Sequence, residues 1–149
     1  MALTQAPSVR AEMRIRRPAA EVYQAFADPA VTTQFWFSRA SGPLVAQQSV
    51  TWYWDNYGVS AEVQVDALEP PQRIALRWPR PTAWTFSPRG DQATMVVVTE
   101  TGFERNDKGV AQAIGQMGGH MLVLASCKAW LEHGIALNAV GDKNPDAHV

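Results

Sequence analysis

His120 is the residue of this sequence whose type and spacing suit chemistry best. It lies three residues after Met117 and four residues before Leu124, a spacing that places three side chains on one face of a helix. An inward histidine can hydrogen-bond a ligand, or act as a general acid or base near neutral pH. It can equally be a structural residue that bonds a backbone carbonyl at the rim of a cavity. The sequence leaves both interpretations open.

Glu100 is the second candidate for acid–base chemistry. In its predicted strand it shares a parity with Val96 and Val98, so it faces the interior if those valines do. A carboxylate inside a protein needs a partner, or burial raises its pKa. The opposite parity of the same strand is equally apolar, and the pattern therefore does not decide which face points inward.

Cys127 and the other histidines add no reactive group. Cys127 follows His120 by seven residues, about 10.5 Å along a helix, which is too far for a direct bond between a nucleophile and its base. We expect a small, buried apolar side chain there. His133 projects from another side of the helix and His148 lies near the C-terminus, so we predict no metal site. The sequence also lacks phosphate-binding, dinucleotide-binding and nucleophile-elbow motifs, and no cofactor is predicted.

Six tryptophans are an excess for a chain of 149 residues. Indole rings fill cores or line pockets, and a domain of this size rarely needs so many only to fill space. We therefore predict that several of them line a pocket for an apolar molecule. The predicted ligand-binding residues are Trp36, Trp52, Trp54, Trp78, Trp84, Phe86, Met117, His120 and Leu124.

The elements that position these side chains are predicted from alternation, helical spacing and turn residues. In chain order they are a strand at Val9–Ile15, a short helix that begins at Pro18, and a second short helix over Pro29–Phe35. A meander of about five strands between Val50 and Phe103 follows, and then a helix over Lys108–His133 that ends at Gly134. This order favours an α+β fold in which a curved antiparallel sheet is wrapped around the long C-terminal helix. A cavity can form between the two.

Three glycines lie in the first half of the predicted long helix, at Gly115, Gly118 and Gly119. Each costs a helix up to about 1 kcal/mol relative to alanine. They indicate either a kinked or frayed start of the helix, or an entrance made by removing side chains over the cavity.

Length and composition bound the remaining possibilities. The size of 149 residues and 16.4 kDa predicts a single domain over residues 9–137, with a disordered leader over 1–8 and a flexible tail over 138–149. A net charge of −1 and a pI of 6.3 exclude the broad positive surface of nucleic-acid-binding proteins. No run approaches the ~20 apolar residues of a membrane span. One cysteine is typical of a reducing cytoplasm, and a homodimer is left open.

Several segments together resemble a known family. They are Ile15-x-x-Pro18-Ala-x-Glu21-Val22-Tyr23, Phe26-x-Asp28-Pro29 with Phe35-Trp36, Leu68–Ile74 before Trp78, Thr94–Phe103, and Leu124–Gly134. In order and spacing they resemble the activator-of-heat-shock-ATPase-homologue family of the START/SRPBCC, or birch-pollen-allergen-like, superfamily, over about residues 10–134. The resemblance implies a helix-grip fold with a largely apolar internal cavity. One departure is that Gly119-His120 stands where this family usually has Gly-Trp.

Three functions remain open after this reasoning, because this fold serves many purposes. The first is non-catalytic binding of an apolar or aromatic small molecule in the cavity, as a carrier or sensor. The second is an enzyme of cyclase or hydrolase type that uses His120, with or without Glu100. The third is a chaperone cofactor or stress-related interaction protein, as the family name implies.

Overall fold

A seven-stranded antiparallel sheet with a long helix against it forms the protein in a computed structural model that describes residues 3–143 and residue 145. The strands are β1 (Val9–Ile15), β2 (Arg39–Ala40), β3 (Ser49–Trp54), β4 (Val59–Glu69), β5 (Arg73–Arg77), β6 (Pro81–Pro88) and β7 (Thr94–Glu100). The helices are α1 (Ala19–Ala27), α2 (Pro29–Thr32), α3 (Asp107–His133) and α4 (Ala139–Lys143), and a 3-10 turn spans Asp55–Tyr57. The sheet order is β1-β7-β6-β5-β4-β3-β2. This is the predicted α+β helix-grip fold.

The strands follow the predicted meander, with one addition. Strands β3 to β7 account for the five expected strands, whereas β2 pairs only Arg39 and Ala40 with β3 and is too short for alternation to reveal. In β7 the side chains of Thr94, Val96, Val98 and Glu100 are buried. The sequence did not decide which face of this strand points inward, and the structure shows that the face with Glu100 does.

Two short helices connect β1 to the rest of the sheet. Pro18 precedes α1, which buries Val22 and Phe26 on one face, as the spacing of four residues predicts. Asp28 then starts α2, because its side chain accepts a hydrogen bond from the Ala30 amide at 2.9 Å. The predicted second helix extends to Phe35, but α2 ends earlier, at Thr32.

Helix α3 is 27 residues long and continuous through its glycines. The Asn106 side chain caps its start by accepting from the Gly109 amide at 3.0 Å. Gly134 ends it in the left-handed conformation, with φ of 66°, where glycine is favoured. The helix therefore does not fray at its three glycines, which was one of the alternatives that the sequence left open.

The buried face of α3 differs in one respect from the prediction. His120, Leu124 and Cys127 are buried, but Met117 is 38% exposed. The buried face turns toward Gln116 and Val123, and Met117 lies about 100° from Gln116 around the axis. Spacings of three and four residues identify the helical face without showing which residues lie at its edge, so the inward placement of Met117 was wrong.

The chain ends described by the structure contact the domain. The Leu3 amide donates to the Arg105 carbonyl at 2.8 Å. Beyond α3, the Tyr57 hydroxyl donates to the carbonyls of Val140, at 2.6 Å, and Gly141, at 3.0 Å. Helix α4 thus lies inside the segment predicted as a flexible tail, and residues 1–2, 144 and 146–149 of the predicted leader and tail lie outside the described residues. Among the described helices none is both long and apolar enough to cross a bilayer.

Candidate ligand-binding site

A cavity of about 390 Å³ lies between α3, α4, the 3-10 turn with the start of β4, and the side chains of Trp36 and Trp78. Its volume falls within the range of about 300–1,000 Å³ common for small-molecule sites. Val59 is 52% exposed in its wall and marks the side that opens to solvent. The lining residues are Trp36, Tyr57, Val59, Trp78, Gly115, Gln116, Gly119, His120, Leu122, Val123, Val140 and Lys143.

The aromatic wall of the cavity has two layers. Trp36 and Trp78 reach the cavity, and their ring centroids are 5.9 Å apart. Behind them, Trp54 stacks on Trp78 with centroids 5.2 Å apart and an interplanar angle of 14°, and Trp52 lies edge-on to Trp36 at 4.9 Å. Rings packed in such geometries hold one another in place, so the wall is preorganised by indoles that do not themselves reach the cavity.

The bare backbone of α3 forms the opposite wall. Gly115 and Gly119 line the cavity, and a Cβ built on either residue would meet no atom within 4 Å. Larger residues here would project side chains into this space. The two glycines thus preserve open volume over the cavity, in agreement with the predicted opening.

Glu100 forms the centre of a polar cluster behind this wall. Only 1% of the residue is exposed. Arg80 Nε donates to its Oε2 at 2.7 Å, and Gln116 Nε2 donates to both carboxylate oxygens at 3.2 Å. His120 Nε2 lies 2.7 Å from Oε1. Three side chains thus satisfy one buried carboxylate, as a buried charge requires.

These contacts keep the Glu100 carboxyl ionised. Burial raises its pKa, but the hydrogen bonds from His120, Arg80 and Gln116 lower it by more, and the net pKa lies below the ordinary value. An ionised carboxylate only accepts hydrogen bonds, so we assign the proton between the two residues to His120 Nε2. The Nδ1 atom is then the ring nitrogen left for another partner. The guanidinium of Arg80 also lies 4.4 Å from the centroid of the Phe103 ring, in cation–π geometry.

Cys127 is not a reactive group. Its side chain is fully buried, and burial raises the pKa of the thiol, which disfavours the nucleophilic thiolate. Across residues 3–143 and 145, no three His, Cys, Asp or Glu side chains are grouped closely enough to hold a metal ion.

The structure brings together only part of the predicted site. Trp36, Trp78 and His120 line the cavity. Met117 lies outside on the exposed side of α3. The remaining predicted residues lie in the core and do not reach the cavity: Trp52, Trp54, Trp84, Phe86 and Leu124.

Several residues that line the cavity were not predicted from the sequence. Gln116 precedes His120 by four residues, and that spacing could have indicated it. Tyr57, Val140 and Lys143 come from the 3-10 turn and α4. No local pattern connects the turn to a helix more than 80 residues later, so these three residues required the tertiary structure.

The sheet, the long helix and the cavity between them define a helix-grip domain. The chain belongs to the family described as "Activator of Hsp90 ATPase homolog 1-like protein", whose sequence pattern matches residues 16–125. The family predicted from the sequence segments is confirmed. No curated protein is similar enough in sequence to match this chain.

Solved structures show the same fold. SSP2350 from Staphylococcus saprophyticus is 28% identical, with a TM-score of 0.81 over 88% of this chain and 96% of that one. The Aha1 dimer from Colwellia psychrerythraea is 17% identical, with a TM-score of 0.74 over 86% and 98% of the respective chains. DynU16, a protein of the dynemicin biosynthetic locus, is 22% identical, with a TM-score of 0.75 over 85% of this chain and 48% of that one.

Proposed function

We propose that this protein binds an apolar or aromatic small molecule in the cavity between α3 and the sheet, as a non-catalytic carrier or sensor. The observation that carries the proposal is the wall itself. Trp36 and Trp78, which pack against Trp52 and Trp54, form one wall. Gly115 and Gly119 form the opposite wall, and the cavity between the two walls has a volume of about 390 Å³. A mostly apolar, preformed cavity with few polar groups is the usual form of a small-molecule site. Family membership and the helix-grip fold support the same interpretation.

A titration with N-phenyl-1-naphthylamine, an uncharged fluorophore that brightens in apolar surroundings, tests the proposal. We expect saturable binding to the native protein. Gly119→Leu should weaken it at least tenfold, or by about 1.4 kcal/mol, because the new side chain occupies the cavity. A Cβ at this position meets no atom within 4 Å, so the fold should tolerate the change.

Ala111→Leu is the matched control for this titration. Ala111 lies on the same helix, is exposed and does not line the cavity, so this variant should bind as the native protein does. The proposal is wrong if the native protein does not bind the fluorophore, or if Gly119→Leu and Ala111→Leu bind equally.

The contact between His120 and Glu100 supports a second candidate, an enzyme of cyclase or hydrolase type. A carboxylate 2.7 Å from Nε2 orients the ring, and a histidine held in this way can exchange a proton through Nδ1. Hydrolysis of p-nitrophenyl esters by the native protein, at least tenfold above that by His120→Gln, would support this candidate. Equal rates would leave His120 as a binding residue.

The other two expectations rest on less. The chaperone-cofactor interpretation is supported by the family name alone, and we do not propose it. A cytoplasmic location, expected from the single cysteine, stays a prediction.

A further inference from the structure

We propose that the ligand is an amphipathic acid whose apolar, ring-bearing body lies between the indoles and the glycines, and whose carboxylate binds Lys143. This inference rests on the proposed function and specifies the chemical class of the ligand. It depends on the position of one ammonium group, on the absence of a competing acid among the described residues, and on the separation of charge within the site.

Lys143 is the charged side chain of the cavity lining. It lies at the end of α4, and its Nζ is 3.6 Å from the point where a Cβ on Gly118 would stand. The ammonium therefore lies beside the bare backbone of α3, at the edge of the space that Gly115 and Gly119 leave open. A Cβ at position 118 would be in van der Waals contact with the ammonium, which places the charge directly against the helix.

No carboxylate of the described residues forms an ion pair with Lys143. Lys128, by contrast, is paired with Glu132. The buried Glu100 carboxylate already accepts hydrogen bonds from Arg80, which lies outside the cavity, and from Gln116 and His120, which line it, so its charge is compensated without Lys143. Among residues 3–143 and 145, no acid thus competes for this ammonium with an anion that enters from solvent.

The distribution of polar groups also favours one orientation of the ligand. Trp36 and Trp78 are half-buried and form an apolar wall, while Lys143 is exposed. An acid can bury its rings against the indoles and keep its carboxylate at the partly hydrated edge, where the cost of desolvating the charge is small. An ion pair in such a place contributes up to about 1 kcal/mol, which corresponds to about a fivefold gain in affinity.

Displacement of N-phenyl-1-naphthylamine by two matched competitors tests this inference. 1-Naphthoate and 1-naphthalenemethanol share the same rings and differ in the charged group. We expect the acid to displace the fluorophore from the native protein at about fivefold lower concentration than the alcohol. Lys143→Met should remove that difference by weakening the acid alone, since the alcohol makes no ion pair.

Lys108→Met is the matched control, because it removes the same charge from an exposed position outside the cavity. It should keep the native preference for the acid. The inference is overturned if acid and alcohol compete equally, or if Lys143→Met retains the preference, and in either case binding of the fluorophore leaves the proposed function intact. Failure of the native protein to bind the fluorophore overturns both.

Discussion

Replacing Arg80 with methionine removes one of the three donors that hold the buried Glu100 carboxylate. Methionine keeps much of the length and the apolar contact of the arginine stem, so the change isolates the guanidinium. In the native protein Arg80 Nε lies 2.7 Å from Oε2, and the two side chains are 22% and 1% exposed. The variant therefore leaves a charge in the interior with fewer partners.

The expected cost follows from the geometry of the cluster. Removing one partner of a buried ion pair costs about 3–5 kcal/mol when the other charge is left uncompensated. Here His120 and Gln116 still contact the carboxylate, and Arg80 is partly hydrated, so we expect a loss of about 2–4 kcal/mol.

Urea unfolding at neutral pH, followed by tryptophan fluorescence, measures this loss. Arg77→Met is the matched control, because Arg77 forms a comparably close pair with Asp66, at 2.9 Å, between side chains that are 55% and 38% exposed. A pair of this kind contributes little to stability, because both charges stay hydrated at the surface. Equal losses in the two variants, or a loss below about 1 kcal/mol for Arg80→Met, would refute the reasoning that burial makes the Glu100 cluster costly to break.

Three further predictions concern pH, thiol reactivity and the buried face of α3. The folded-state pKa of Glu100 is lowered, so the ionised carboxylate stabilises the fold above the unfolded carboxyl pKa of about 4.3, and this contribution is lost as the pH falls through the lower folded value. The unfolding free energy of Glu100→Gln should therefore fall less steeply with acid than that of the native protein. Cys127, whose thiol pKa burial raises, should react with Ellman's reagent only as fast as the protein unfolds, and rapid labelling of the native state would contradict its placement. Leu124→Ala should cost about 2–5 kcal/mol in thermal or urea unfolding, whereas Met117→Ala should stay within about 1 kcal/mol, and similar losses would show that α3 faces another way.

The fold could be predicted because its signals are local. Local signals include the alternation of Val9–Ile15, the proline at the start of each short helix, and the spacing of His120, Leu124 and Cys127. Each of them depends on neighbours within one element. The position of Met117 was missed for the same reason, since helical spacing indicates a face but not its centre.

The site was less predictable because tertiary contacts build it. Glu100 and His120 are 20 residues apart and meet at 2.7 Å only because β7 and α3 pack together. Strand β7 has apolar residues on both faces, so its pattern could not show that Glu100 points inward. Trp52 and Trp54 are buried as predicted, but they pack behind Trp36 and Trp78 and do not reach the cavity. Strand parity shows which face a side chain is on, but not how far it lies from a cavity.

Gln116 and Lys143 could not be assigned to the site from their residue types alone. Gln116 was not considered because an amide on a helix has no distinctive chemistry until a buried carboxylate is found beside it, at 3.2 Å. Lys143 lies in a segment that its composition predicts to be a flexible tail, and the contact of Tyr57 with Val140 and Gly141 places the helix that carries it.

A crystal structure of the protein with 1-naphthoate shows where the rings and the carboxylate of an aromatic acid bind. We predict the naphthalene rings between Trp36 and the backbone of Gly115 and Gly119, with the carboxylate within hydrogen-bond distance, about 2.7–3.2 Å, of Lys143 Nζ. Rings bound in this cavity with the carboxylate turned away from Lys143 would retain the binding function and contradict the proposed ligand class. Naphthoate ordered only elsewhere on the protein, with none in the cavity, would contradict both the proposed binding function and the proposed ligand class.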